Sequence, residues 1–284
     1  MMRKSLIHQL SILILWALAS CNGQEAMLSD TVGRDSSALY VAVMPVEDCL
    51  PLYLAEKRGM ADSLGLNMKL LRYDALMDID TAYVLRHADV AWEDSFRLAR
   101  YHTETPQFAT DSILKEPDTL WLPTEGRWCF IASRKGKIRK LKDLHEKMVG
   151  ITRWSLADTL CNIVVNQAGV DQQDVYRPQI NNVKLRMRML RENLLDAAIL
   201  PEPYASWAKA EKHRILFEYP KDVVPSDSVM RKTRITGFFV RRNFTRDTLR
   251  LKQLQLLEKV YRKAQKMLET EGLSAIDSLD VFTL

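Results

Sequence analysis

The spacing of hydrophobic positions switches repeatedly between the periods of strands and helices. Leu39 to Met44 is a short apolar, β-branched run, and Pro45 with Asp48-Cys49-Leu50-Pro51 opens a helical segment that stops before Gly59. Asn67 to Tyr73 alternates as a strand does, Asp78 to His87 has helical spacing, Ala88 to Trp92 is again strand-like, and Glu93 to Tyr101 returns to the helical period. This β-α-β-α-β order predicts a parallel sheet with helices on its faces.

Two extended segments follow, Leu120 to Leu122 and Trp128 to Ser133, separated by Pro123 and Gly126. A second alternating series then begins. Leu141 to Glu146 is a short helix, Met148 to Thr152 a strand, and Ser155-Leu156-Ala157-Asp158 resembles a capping box with Asp in place of Glu. The helix it opens runs to Ala168, where Gly169 supplies a left-handed stop. Val175 to Ile180, a helix through Leu190, a strand from Ala197 to Leu200 and a helix from Glu202 complete the series. Ile235 to Val240 is one more strand. Asp247 to Glu271 is a long amphipathic helix with Leu251, Leu254, Leu257, Val260, Tyr261 and Ala264 on one side.

The first residues follow a different logic. Arg3 and Lys4 precede an apolar run from Leu6 to Leu18, and Leu18-Ala19-Ser20-Cys21 has the form of a lipobox. The run is shorter than the roughly 20 residues that span a bilayer, and the polar stretch Asn22 to Ser37 carries no stop-transfer cluster, so an export signal is expected. Acylation of Cys21 would anchor the mature chain, since more than one acyl chain gives stable membrane attachment.

Loss of the first 20 residues removes Arg3 and Lys4 and lowers the formal net charge from +5 to +3. That balance argues against nucleic acid as the main partner. The densest basic run, Arg134 to Lys142, has no interleaved aromatics and is read as a solvated face. With Cys21 acylated, Cys49, Cys129 and Cys161 remain, an odd number, so at least one free thiol is expected. No CxxC and no His or Cys cluster has metal-ligand spacing, and neither a cofactor nor a metal is expected.

Several short motifs occur in a familiar order: Leu39-Tyr40-Val41-Ala42-Val43 leading to Pro51-Leu52-Tyr53-Leu54-Ala55 and Gly59; Ala88-Asp89-Val90-Ala91; Leu141-Lys142-Asp143-Leu144 before Val149-Gly150-Ile151; and Leu195-Asp196-Ala197-Ala198 running into Pro201-Glu202-Pro203-Tyr204. From about Ser37 to Glu271 the chain resembles the type II periplasmic solute-binding proteins of ABC importers, in the subgroup of taurine, sulfonate, nitrate and thiamine-precursor receptors. The resemblance implies an α/β, two-lobed type II periplasmic-binding-protein fold with two crossover hinge strands, around Trp128 to Ser133 and Ile235 to Val240. Residues 38–127 and 235–284 would form one lobe and 128–234 the other, after a signal peptide of residues 1–20 and a tether of 21–37. It also implies a monomer in a bacterial cell envelope that captures a small molecule and meets a membrane permease.

Ligands of open α/β sheets lie beyond the carboxyl ends of strands. Four loops qualify: Met44 to Cys49, Trp92 to Asp94, Arg153 to Ser155 and Pro201 to Tyr204. Arg153, the Ser155 hydroxyl and free N–H groups at a helix start are suited to an anion, although Ser155 as a simple cap has the same geometry. Trp154 is a candidate stacking group or a packing residue between lobes. Glu47, Asp48, Glu93 and Asp94 point the other way, toward an amine or a cationic heterocycle, especially with Trp92 in the cleft; Asp48 and Asp94 also suit helix capping. Glu202 between two prolines suits a loop or cap role, and the Tyr204 hydroxyl could reach a ligand. An enzyme of the menaquinone-pathway dehydratase or thiamine-precursor-synthase kind would need an acid–base pair; none stands out, and Glu47 with His87 or His102 is a candidate. A ligand sensor or accessory lipoprotein is the other alternative.

Cys21→Ala is expected to leave the exported protein unlipidated and soluble after cell fractionation. Persistent membrane attachment of that variant would instead indicate a retained N-terminal helix.

Overall fold

In the computed structural model the described residues are 34–97, 118–223, 235–272 and 281–282, so the expectations for the leader, Cys21 and His102 fall outside them. The chain divides into Met1–Ser37 and Ala38–Leu284, and the second unit holds the fold described below. Its first sheet begins as expected: β1 (Leu39–Val43), β2 (Met68–Arg72) and β3 (Val90–Asp94) are parallel, with α1 (Leu50–Lys57), the short α2 (Met60–Ser63) and α3 (Leu76–Val84) in the connections. A turn of 3-10 helix, Glu47–Cys49, precedes α1, and Pro51 sits in the first turn of α1, where its missing N–H is not required.

The sheet is mixed, in the order β2-β1-β3-β10-β4. β10 (Thr236–Val240) lies antiparallel between β3 and β4 (Thr119–Thr124), pairing Thr236 with Asp94 and Gly237 with Glu93. That pairing corrects one expectation. Glu93 and Asp94 do not form a loop; they are the last residues of β3, because β10 supplies a ladder out to Asp94, and Asp94 caps the helical turn that begins at Ser95, as expected of it. The helical reading followed the side chains of Glu93 to Tyr101 and had no access to a partner strand over 140 residues away.

The second sheet runs β7-β6-β8-β5-β9. Parallel strands β6 (Lys147–Gly150), β7 (Val175–Tyr176) and β8 (Ala197–Pro201) alternate with α4 (Leu156–Ala168) and α5 (Val183–Arg191), while β5 (Trp128–Ala132) runs antiparallel to β8 and to β9 (Arg214–Tyr219). The helix α6 (Tyr204–Ala210) joins β8 to β9. β9 was not anticipated. It is an edge strand with only Phe217 buried, so it lacks the alternation that marks a half-buried strand. The passage from the first sheet to the second is the short stretch Glu125 to Arg127 between β4 and β5.

α7 (Thr248–Glu271) starts with the Asp247 carboxylate accepting the Arg250 N–H and lays Leu254, Leu257, Val260, Tyr261 and Ala264 against the first lobe. At its far end Glu271 pairs with Arg58 beyond α1. The chain then reaches the second lobe, where Phe282 packs edge-to-face on Tyr204 and Trp207 at 6.1 and 5.4 Å. Cys49, Cys129 and Cys161 are all free and buried.

β10 is central, and its packing depends on Gly237. A Cβ there would lie 2.5 Å from the Leu122 carbonyl oxygen and 3.0 Å from Pro123 Cα. Gly237→Ala is therefore expected to cost about 1–3 kcal/mol, read as a lower urea midpoint. An unchanged midpoint would show that β4 yields without cost.

Candidate functional site

The carboxyl ends of the two sheets face one another across a seam, and the seam is closed by hydrogen bonds between side chains and backbone of opposite lobes. Its centre is the start of α4. Ser155 caps the helix by accepting the Ala157 N–H at 3.2 Å and donates its own hydroxyl to the Thr152 carbonyl at 2.7 Å. The Leu156 N–H, the first of the helix, donates across the seam to the Asp94 carboxylate at 3.0 Å. Asp94 in turn accepts the Arg97 N–H at 3.0 Å, so it caps the turn after β3 with one oxygen and binds α4 with the other.

Arg97 makes the second bridge. Its guanidinium pairs with Asp80 of α3 and donates to the Arg153 carbonyl of the other lobe at 3.1 Å. Trp154 is held at φ +59°, a left-handed conformation that costs a residue with a Cβ roughly 1–2 kcal/mol. Its N–H donates to Asp158 at 2.9 Å, and its indole is 45 % exposed. Arg153 is exposed and brings its carbonyl to the seam. Beneath the loop, Arg186 is buried with no carboxylate among its hydrogen-bond partners. It donates to the carbonyls of Ile180 and Ile199 and to the Thr152 hydroxyl, fixing the approach to α4. Burial pushes it down to about 9, still ionised at neutral pH.

Around Asp94 the balance of charge is acidic. Asp80, Glu93 and Asp94 share one buried cluster with a single guanidinium, that of Arg97. Glu93 is fully buried and neither of its carboxyl oxygens has a hydrogen-bond acceptor's usual donor; one oxygen of Asp80 is in the same position. Burial and then the neighbouring Asp80 carboxylate hold Glu93 well above the usual carboxylate range. A neutral Glu93 donating its proton to Asp80 satisfies both groups.

Glu47 and Asp48 lie toward the hinge. The Glu47 N–H donates to the Glu202 carbonyl at 2.8 Å and the Glu202 N–H to the Arg127 carbonyl at 3.0 Å, while the Arg127 guanidinium grips the Glu47 carboxylate at 2.5 and 3.0 Å. Asp48 does not cap a helix through its side chain. One carboxylate oxygen accepts from Trp92 Nε1 at 3.0 Å and Thr124 Oγ1 at 2.7 Å, and its carbonyl accepts the Tyr261 hydroxyl at 2.9 Å. Trp92 is thereby buried and tied to Asp48. Glu202 accepts the Ser206 N–H within the first turn of α6. Tyr204 is fully buried with its hydroxyl unpartnered. A cavity of about 730 Å³ opens behind the hinge and is lined by Glu47, Asp48, Glu125, Arg127, Tyr219 and Glu269 among others. Four carboxylates face one guanidinium there.

The structure thus brings Trp92 and Asp48 together, places Glu93 beside Asp94, and sets Ser155 and the Arg153 carbonyl against them. Arg97, Asp80, Thr124 and Asp74 were missed. Asp74 joins the lobes at the rim, where its carbonyl accepts the Val183 N–H at 3.1 Å and its carboxylate pairs with Lys184 at 3.0 Å. Nothing in the local sequence marks these residues; only the tertiary fold brings them to the seam. Among the described residues no group of His, Cys, Asp and Glu could hold a metal ion.

No protein-family model matches the chain, and no curated protein matches it. Solved structures do match. The fold is that of periplasmic binding proteins. The alkanesulfonate-binding protein of Xanthomonas axonopodis pv. citri, bound to MOPS, aligns with a TM-score of 0.66 and 15 % identity over 87 % of this chain and 79 % of that one. The periplasmic nitrate-binding protein of Synechocystis aligns at 0.67 and 12 %, over 87 % and 67 %. A Prochlorococcus marinus protein in complex with methylphosphonate aligns at 0.55 and 11 %, over 83 % and 91 %. At these identities the likeness is one of fold. The two-lobed α/β architecture is that of proteins named for binding solutes, and no helix among the described residues is long and apolar enough to cross a membrane.

Burial raises both Asp48 and Asp94 to about 6 from an ordinary 3.8. A carboxyl whose folded value lies above its unfolded one takes up a proton on folding, so these groups add stability as pH falls from about 6 toward 4. Asp48→Asn is expected to shrink the gain in urea midpoint between pH 7 and pH 4. The same gain in the variant would show that Asp48 ionises without hindrance.

Proposed function

We propose that the chain is a lipid-anchored solute-binding protein, tethered through Cys21 in a bacterial cell envelope, that captures a small molecule between its lobes and passes it to an ABC-type permease. The observation that carries the reading is the seam itself. Two sheets present their carboxyl ends to each other, joined by a short crossing at Glu125 to Arg127 and fastened by Asp94, Arg97 and Asp74. Such an arrangement opens and closes as two bodies about a hinge. Glu47, Asp48, Trp92, Glu93, Arg153, Trp154, Ser155, Glu202 and Tyr204 remain the residues we assign to the solute path.

The charge around the path favours a solute with a positive or neutral group. With Glu93 neutral, the Asp80 and Asp94 carboxylates still outnumber the Arg97 guanidinium beside them, and the hinge cavity is lined by four acidic side chains to one Arg. The MOPS, nitrate and methylphosphonate of the structural matches are attributes of those proteins. A second reading, a sensor or accessory lipoprotein on the same fold, is favoured by the direct hydrogen bonds between the lobes. An adjacent permease and ATPase gene would support transport, and an adjacent histidine kinase gene would support sensing.

Thermal-shift screening of the mature chain against amines, aromatic cations, sulfonates and nitrate tests the proposal. A solute at a hundred times its dissociation constant adds about 2.7 kcal/mol, a shift of several degrees. A hit among amines or aromatic cations is the expected result. A hit confined to sulfonates or nitrate would reverse the charge assignment, and none at all would favour the sensor reading.

A further inference from the structure

The α4 N-terminus is a position in the seam with the chemistry of an anion seat, and a carboxylate of the chain already occupies it. The Ala157 N–H is taken by Ser155, the Trp154 N–H by Asp158, and the Leu156 N–H by Asp94 from the opposite lobe. Asp94 is almost wholly buried, and its other oxygen is fixed by the Arg97 N–H. Arg97 completes the bridge by pairing with Asp80 and donating to the Arg153 carbonyl. A negative end and a positive end, three residues apart, thus link the lobes as the charged groups of a bound solute would.

We infer that Asp94 is a tethered substitute for an anionic ligand: it seats on the start of α4, holds the lobes together without a solute, and bars free sulfonate- or nitrate-like anions from that seat. A second anion would find no free donor among these three N–H groups and would stand beside the Asp94 carboxylate in a buried, poorly screened place. Asp94 is thereby a specificity-determining residue. The inference shares with the proposed function only the premise that the lobes can part, and it is tested without knowing the solute.

Small-angle scattering of the mature chain, with no solute, is compared for wild type, Asp94→Ala and Asp94→Asn, each checked for folding by circular dichroism. The expected result is a compact wild type and a larger radius of gyration for Asp94→Ala, reversed by adding formate, whose carboxylate can take the vacated place. Asp94→Asn keeps the size of the side chain and removes its charge, and it is expected to open in part if Asp94→Ala does not fold. Calorimetry with methanesulfonate should show no binding to wild type and measurable binding to Asp94→Ala. Equal radii for wild type and both variants, with no effect of formate, would overturn the latch; methanesulfonate binding by wild type would overturn the exclusion. The scattering result does not depend on the screen that tests the solute receptor, so the latch and the receptor reading fail separately.

Discussion

The bond from the Leu156 N–H to the Asp94 carboxylate is the contact around which the seam is organised. Asp94 can end a strand buried on both faces only because it finds two N–H donors, one on its own turn and one at the start of a helix in the other lobe. Without them a carboxylate at that position would be an unpaired buried charge, which costs far more than a hydrogen bond returns. The same reasoning extends to Arg97, whose burial is tolerated through Asp80 and the Arg153 carbonyl.

The hinge is built by the same economy. Asp48 gathers donors from β3 and β4 and, through its carbonyl, from α7, so one residue after β1 ties three elements of the first lobe. Gly126 lies against this knot, and a Cβ there would come within 2.9 Å of the Asp48 carboxylate. The crossing strand can pass so near only because that position lacks a side chain. Arg186 plays the corresponding part in the second lobe, fastening Thr152 and the backbone below α4.

Residues expected to meet a ligand are in several cases already engaged with one another. Trp92 donates to Asp48, Ser155 caps α4, and Glu202 caps α6. Glu93 completes its bonding through its own proton, donated to Asp80, whereas Tyr204 is fully buried with a hydroxyl that has no hydrogen-bond partner. Such groups mark places where a proton, a water or a solute completes the bonding.

The sequence by itself determined most of the order of strands and helices, β9 excepted, together with the Ser155 cap, the Gly169 stop and the buried stripe of α7, because each follows from local period or from residues a few positions apart. It also carried the acidic surplus near β3, visible as Glu93 and Asp94. Tertiary structure alone decided that β10 would insert between β3 and β4, that both acids would lie in a strand, and that β9 would form an edge. It decided too that Asp94 would meet Leu156 and that Arg97 would reach Arg153, 62 and 56 residues away along the chain. Long-range pairings of this kind leave no periodic trace in sequence, since they depend on which backbone donors and carboxylates two separately folded sheets bring to the same seam.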